Sequence, residues 1–222
     1  MQKAFKQRNI NGAVYFTYKT VGWCCVMSYS ITALTDDYYE GTNCLINKFN
    51  IQNEEQLTKI EAGITLAKTA ELERNPISAS FDFEHYKQIH KYLFEDLYEW
   101  AGKVRSVDIS KKGTIFTPAE NIEAVANACF KRLANHNHFK NLDFDEFIEN
   151  IVDFYCSTNM LHPFREGNGR TQRIFIAQLI RFCGYDINFS EIDTDELMVA
   201  TIQSANGVTD YLKELFKNHI KH

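Results

Sequence analysis

From residue 53 onward, apolar residues return at three- and four-residue spacing in one segment after another, a period that specifies packed helices and little else. Asn53 followed by Gln56 makes a start like a capping box, and Leu57, Ile60, Ile64 and Ala67 then mark one face. Asp82 can cap a second helix with Phe83, Tyr86, Ile89, Tyr92 and Leu93 inward. A third runs from about Pro118, whose missing N–H costs nothing in a first turn, with Ile122, Val125, Cys129, Phe130 and Leu133 on its face. A fourth begins near Asp143 and carries Phe144, Phe147, Ile148, Ile151, Val152 and Tyr155. A fifth starts around Asn168–Gly169, turns Ile174, Phe175, Ala177, Leu179, Ile180 and Phe182 inward, and stops at Gly184.

Only the stretch from Gly102 to Thr117 breaks this pattern. Val104, Val107 and Ile109 precede Ser110-Lys111-Lys112-Gly113, and Ile115 and Phe116 follow, which reads as a short hairpin. The residues alone leave its role open between connector and working part. The fold class is therefore all-α: a helical bundle with one short β-hairpin.

A chain of 222 residues can bury a sizeable core and suits one domain. Its formal net charge of −5 argues against a general nucleic-acid binder, which needs cationic surface to displace counterions. The six cysteines (Cys24, Cys25, Cys44, Cys129, Cys156, Cys183) show no C-x-x-C pair, which fits a reducing, cytoplasmic setting. His136 and His138 read as solvated residues near a helix end, not metal ligands. Residues 1–35 differ from the rest: aromatic and β-branched, without helical period. Their uncharged run from Thr20 to Thr35 is too short and too polar for a membrane span. They read either as a short hairpin or strand packed on the main domain or, with Met27 as the natural start, as an upstream extension. The division is thus 1–35 and 36–222.

Residues 161–173, Leu-His-Pro-Phe-Arg-Glu-Gly-Asn-Gly-Arg-Thr-Gln-Arg, carry the chemistry. Pro163 ends the fourth helix and biases His162 toward an extended backbone. A glycine-rich turn opening a helix leaves N–H groups pointing outward at the positive end of the dipole, a ready anion site. Arg170 and Arg173, three apart, share a face there, at a helix end that otherwise favours carboxylates; a bound anion offsets that cost. Glu166 would repel phosphates unless Mg²⁺ bridges the two. His162 is the nearby group able to take a proton near neutral pH. The pattern implies attack of a hydroxyl on a nucleotide phosphorus. Taken singly, Gly-Asn-Gly is a turn, a histidine before proline a capped loop residue, and Glu166–Arg170 a surface ion pair; it is their concentration that carries the argument.

His162 through Arg170, followed by Arg173, resembles the HPFx(D/E)GNGRxxR signature of the Fic family at every fixed position. Tyr39-Glu40-Gly41-Thr42-Asn43 resembles the family's Y-P-G-T-N, with Glu40 replacing proline, and Trp100 through Lys111 also resembles Fic sequence. The resemblance spans roughly residues 36–215 and implies a Fic domain moving AMP from ATP to a Tyr, Thr or Ser hydroxyl of a target protein. By carry-over, His162 is the base and Glu166 holds Mg²⁺. Gly167, Asn168 and Gly169 form the anion hole, Arg170 reaches the β-phosphate and Arg173 the γ-phosphate, and Phe164 anchors the loop. Lys112, Gly113, Thr114, Ile115 and Phe116 resemble the flap that docks the target, and Lys48 and Phe49 border the nucleotide. Gly169 separates this chain from related kinases with lysine there, and Gly167 from a phosphocholine-transferring variant with alanine.

Many family members are silenced by a helix bearing (S/T)xxxE(G/N), whose glutamate pairs with the second arginine. Thr35–Glu40 has four intervening residues, Thr69–Glu73 is followed by Arg74 and Ser80–Glu84 by His85, so no full match occurs. The chain resembles the class whose inhibitory helix comes on a separate small antitoxin. That implies a bacterial toxin acting on type II topoisomerase subunits (DNA gyrase or topoisomerase IV), with a translocated effector as the rival setting. The competing functional readings are an inactive nucleotide-binding module and transfer of another nucleotide.

Overall fold

The computed structural model describes residues 5–8, 14–17, 30–31, 37–77, 80–111 and 113–221. Cys24, Cys25, Met27 and Lys112 lie outside them. Near the N-terminus, β1 (Phe5–Arg8) pairs antiparallel with β2 (Val14–Thr17), and β3 is the two-residue strand Ser30–Ile31.

Several of the helices start where a short polar side chain takes up orphan N–H groups. In α1 (Glu54–Arg74) the Asn53 side chain accepts from Gln56 N–H, and in α2 (Phe83–Phe94) Asp82 accepts from His85 N–H. After α2 come β4 (Ile109–Lys111) and β5 (Thr114–Ile115), antiparallel, with Ser110 opposite Ile115. A 3₁₀ turn at Ala119–Asn121 then leads into α3 (Ile122–Asn135), so the helix proper starts later than Pro118 suggested. In α4 (Phe144–Leu161) Asp143 caps Glu146 N–H, and α5 (Asn168–Phe182) follows Gly167 as its N-cap. Then come β6 (Asp186–Ile187), α6 (Thr194–Ala205), α7 (Asp210–His219) and β7 (Ile220–Lys221), which pairs with β6.

The chain is mostly helical, as expected, but its strands do not reduce to one hairpin. Ser30–Ile31 of β3 pairs with Ser110 and Ile109 of β4, making the hairpin the outer part of a three-stranded sheet, and β6–β7 is a separate ladder. Three helical faces are also drawn too wide by periodicity alone: on α1 Ala67 is exposed, and Thr65 takes the buried position instead. Val125 and Phe182 are exposed; on α3 the inward position is taken by Ala126, and Phe182 packs at the rim on Phe81 under the Lys140 ammonium.

The centre of the core is α5, which packs against α1, α2 and α4. Phe175 on α5 meets Tyr86, Phe130 and Phe81 edge-on, the geometry aromatic quadrupoles favour. Phe164, fully buried between α4 and α5, stacks on His90 (centroids 3.8 Å) and faces Tyr86 (5.7 Å). The motif loop is therefore pinned through an aromatic core built by α2.

Candidate active site

The junction between α4 and α5 begins with a departure from expectation. His162 is left-handed, at φ 41° and ψ 60°, and not extended. Proline does exclude the α-region at the preceding residue, but the helix end offers a left-handed cap, a region where histidine is enriched among non-glycine residues. Local bonds stabilise it: His162 N–H donates to Thr158 O (3.3 Å), and its carbonyl accepts from Arg105 Nε (2.8 Å).

The same geometry settles the imidazole. Nδ1 lies 3.0 Å from Asn159 O, and a carbonyl only accepts, so Nδ1 carries the proton and Nε2 is the basic nitrogen. The ring stacks on Phe116 (centroids 3.7 Å, 11°). Burial, reinforced by the charges of Lys111 and Arg105, pushes its pKa down to about 3, so the ring is neutral at physiological pH.

The loop's shape follows from three constraints. Asn168 is buried, and its side chain bonds Phe164 twice, accepting its N–H and donating to its carbonyl, both at 2.8 Å. This side chain is a loop clamp; only its backbone N–H remains for an anion hole. Gly167 has φ 78°, and a Cβ there would lie 2.2 Å from Phe94 Cζ, so this glycine is required by the protein itself. His90 accepts Gly102 N–H at Nδ1 (2.8 Å), which leaves Nε2–H to donate to Glu166 O (3.0 Å). Its burial drives its pKa down to about 3, holding it neutral. His90 and Arg105 are supports the motif alone does not reveal. A polar residue beside Ile89 on α2's apolar face is the one signal that could have found the first, since a buried imidazole needs partners. Arg105 bonds Val107 O and Thr117 O as well as His162 O, tying the hairpin's base to the end of α4.

The first ladder bond of α5 runs from Thr171 N–H to Gly167 O (3.0 Å). The N–H groups of Asn168, Gly169 and Arg170 therefore precede the ladder and lack intrahelical acceptors. The two arginines that follow differ sharply. Arg170 Nη2 bonds Glu61 Oε1 (2.6 Å) and lies 3.5 Å from Glu166 Oε1, Nη1 lies 3.3 Å from Thr65 Oγ1, and the guanidinium covers the Phe94 ring. Burial alone would lower its pKa, but Glu61 and Glu166 outweigh it and raise it. Arg173 has no carboxylate partner among the described residues, and burial lowers its pKa. Its Nη1 lies 3.2 Å from where a Cβ on Gly169 would stand.

One cavity of about 760 Å³ takes in His162, Glu166, Gly167, Gly169, Arg170 and Arg173, with Lys111, Thr114 and Phe116 of the hairpin. Glu166 Oε1 accepts Gly167 N–H (2.8 Å); among the described residues Oε2 accepts no hydrogen bond. On the hairpin, Gly113 has φ 83° and Ile115 is 76% exposed, whereas Phe116 is buried on His162 and is a wall of the site rather than a docking surface. Lys48 and Phe49 do not line this cavity. Lys48 pairs with Glu99 (3.5 Å) beside a separate small pocket, Phe49 is half-exposed, and Asn47 shapes their turn by accepting Phe49 and Ile51 N–H.

A model of the Fic/DOC family matches residues 80–180. The chain is 32% identical to the "probable protein adenylyltransferase Fic" of Escherichia coli, covering 80% of this chain and 88% of that protein. It belongs to the Fic/DOC family. Another Fic relative, the probable protein adenylyltransferase y4lH of Sinorhizobium fredii, is 35% identical over 76% of this chain and 87% of its own length. The protein adenylyltransferase VbhT of Bartonella schoenbuchensis is 38% identical over 82% of this chain, which spans only 40% of VbhT. These names denote a nucleotidyltransferase activity. Among solved structures, the N-terminal Fic domain of a Bartonella quintana protein with bound ADP superposes with a TM-score of 0.79 at 28% identity, covering 83% of this chain and 94% of that one. BepC of Bartonella tribocorum with bound AMPPNP gives 0.77 at 28% identity, covering 83% and 95%. Fic domains of this shape thus accept adenine nucleotides. No described helix is long and apolar enough to cross a membrane.

Proposed function

We propose that this chain is a protein adenylyltransferase, moving AMP from ATP to a Tyr, Thr or Ser hydroxyl of a target protein. The observation that carries the reading is the pairing, in one cavity, of a neutral histidine with an arginine that has no carboxylate partner among the described residues. Arg173 stands beside helix N–H groups that have no intrahelical acceptor, which asks for a polyphosphate. His162 Nε2, left with its lone pair because burial keeps the ring neutral and Asn159 O holds the ring proton on Nδ1, takes the proton of the target hydroxyl as the hydroxyl oxygen bonds to the α-phosphorus and pyrophosphate leaves. The hairpin residues Thr114 and Ile115 present a strand edge for the target segment.

Glu166 fits a Mg²⁺ ligand: a hard carboxylate at the mouth of the helix N-terminus, with Oε2 uncommitted among the described residues. Glu166 would hold the ion, which would supply positive charge to offset that of the phosphates. We assign Arg173 as the contact for an inhibitory glutamate too, supplied by a separate antitoxin, because no described carboxylate of this chain pairs with it. In that reading the chain is a bacterial toxin acting on type II topoisomerase subunits.

Mass spectrometry of proteins from cells expressing the wild type beside His162→Ala tests the activity. A target peptide carrying AMP only with the wild type is expected; equal modification in both strains rules the mechanism out. Growth arrest relieved by a co-expressed neighbouring small protein is the matching test of the toxin role.

A further inference from the structure

Arg170 and Arg173 emerge three residues apart from one helix, yet among the described residues only Arg170 meets acidic partners, one of them delivered from another helix. Glu61, near the middle of α1, accepts from Arg170 Nη2 at 2.6 Å through Oε1, and its other oxygen accepts from Tyr98 O–H. Thr65, one turn further along α1, lies 3.3 Å from Nη1, and the Phe94 ring closes the flat face of the guanidinium. The Glu61 side chain is 13% exposed, so the contact is not a solvated surface pair. A carboxylate at the mouth of an anion site weakens anion binding by charge alone. Its presence in this geometry needs another explanation, and orientation supplies one: a guanidinium is a planar fork, and fixing its plane decides where its remaining N–H bonds point.

We infer that Glu61 is a positioning residue for nucleotide binding, holding Arg170 from α1 so that its fork meets the second phosphate. This rests on the reading above that Arg170 contacts that phosphate. Glu61 is a tether and not a brake, since the inhibitory pattern of the family acts on the second arginine and Glu61 engages the first.

The test is binding of ADP and AMP to the purified full chain by calorimetry, with melting curves as a check on folding. ADP ends at the second phosphate, so the comparison isolates Arg170. Glu61→Ala is expected to weaken ADP about tenfold and AMP less than twofold. Glu61→Gln, which keeps an acceptor oxygen in place, should recover most of that loss. In a Glu61→Ala/Arg170→Ala double variant, ADP binding should match Arg170→Ala alone. If Glu61→Ala does not fold, the isosteric Gln variant decides: an ADP-selective loss of about threefold supports the tether. Unchanged ADP binding, equal weakening of ADP and AMP, or tighter ADP binding overturns it. A wild type that prefers ADP over AMP yet transfers no AMP refutes the proposed activity alone. One that binds both equally refutes the role of Arg170 and this inference with it.

Discussion

The motif contains two unlike neighbourhoods. From His162 to Arg170 every functional group is braced: the imidazole by Asn159 and Phe116, the loop by Asn168 and His90, Arg170 by Glu61. One turn along α5, Arg173 has no carboxylate partner among the described residues. The difference separates geometry that the protein supplies from charge that a ligand must supply. Pre-organisation is built into the proposed base and its loop, and a cation without a carboxylate partner among the described residues stands where the proposed polyphosphate would end.

Replacing His162 by alanine should cost the most. Transfer should fall by about 10²–10⁴-fold with the fold intact, because a positioned base contributes on that scale. Retention of full activity, read from labelled ATP, would break the distinction at its root. Phe164→Ala removes the anchor of the braced region and should destabilise by about 3–5 kcal/mol in urea unfolding. A cost under about 1 kcal/mol would show that the aromatic stack does not hold the loop.

The buried histidines make a pH prediction. His90 and His162 both have folded-state pKa values near 3, against 6.5 in the unfolded chain. The unfolded state therefore binds their protons first. Their contribution is fully present above pH 6.5, is lost progressively as pH falls from there toward 3, and changes no further below that. Between pH 7.5 and 5.5 stability should drop by about 2–3 kcal/mol, roughly half of it abolished in His162→Ala. A flat profile over this window contradicts neutral, buried imidazoles.

The smallest effect separates the arginines themselves. Arg170→Ala strands the Glu61 carboxylate and should destabilise by about 1–3 kcal/mol. Arg173→Ala breaks no ion pair among the described residues and should stay within about 1 kcal/mol of the wild type, while losing affinity for ATP. Equal melting shifts for the two variants would erase the contrast.

The braced region was only partly legible from residue order. Caps at Asn53, Asp82 and Asp143 were readable because a cap and its N–H lie within three residues. The motif was readable for the same reason. The supports were not, because Glu61 lies 109 residues from Arg170, His90 76 from Glu166, and Arg105 57 from His162. The backbone of His162 misled for a different reason: proline forbids one region without naming its replacement, and the helix end chose the left-handed cap. Lys48 and Phe49 rested on family resemblance alone, with no pattern of residue types behind them, and Lys48 lines a separate small pocket.

The decisive measurement compares ATP labelled on the α-phosphate with ATP labelled on the γ-phosphate, each incubated with Mg²⁺, bacterial lysate and either wild type or His162→Ala. The α-label should appear on a discrete protein with the wild type alone, and the γ-label on none. Transfer of the γ-label, or an α-label that persists in His162→Ala, would contradict the account.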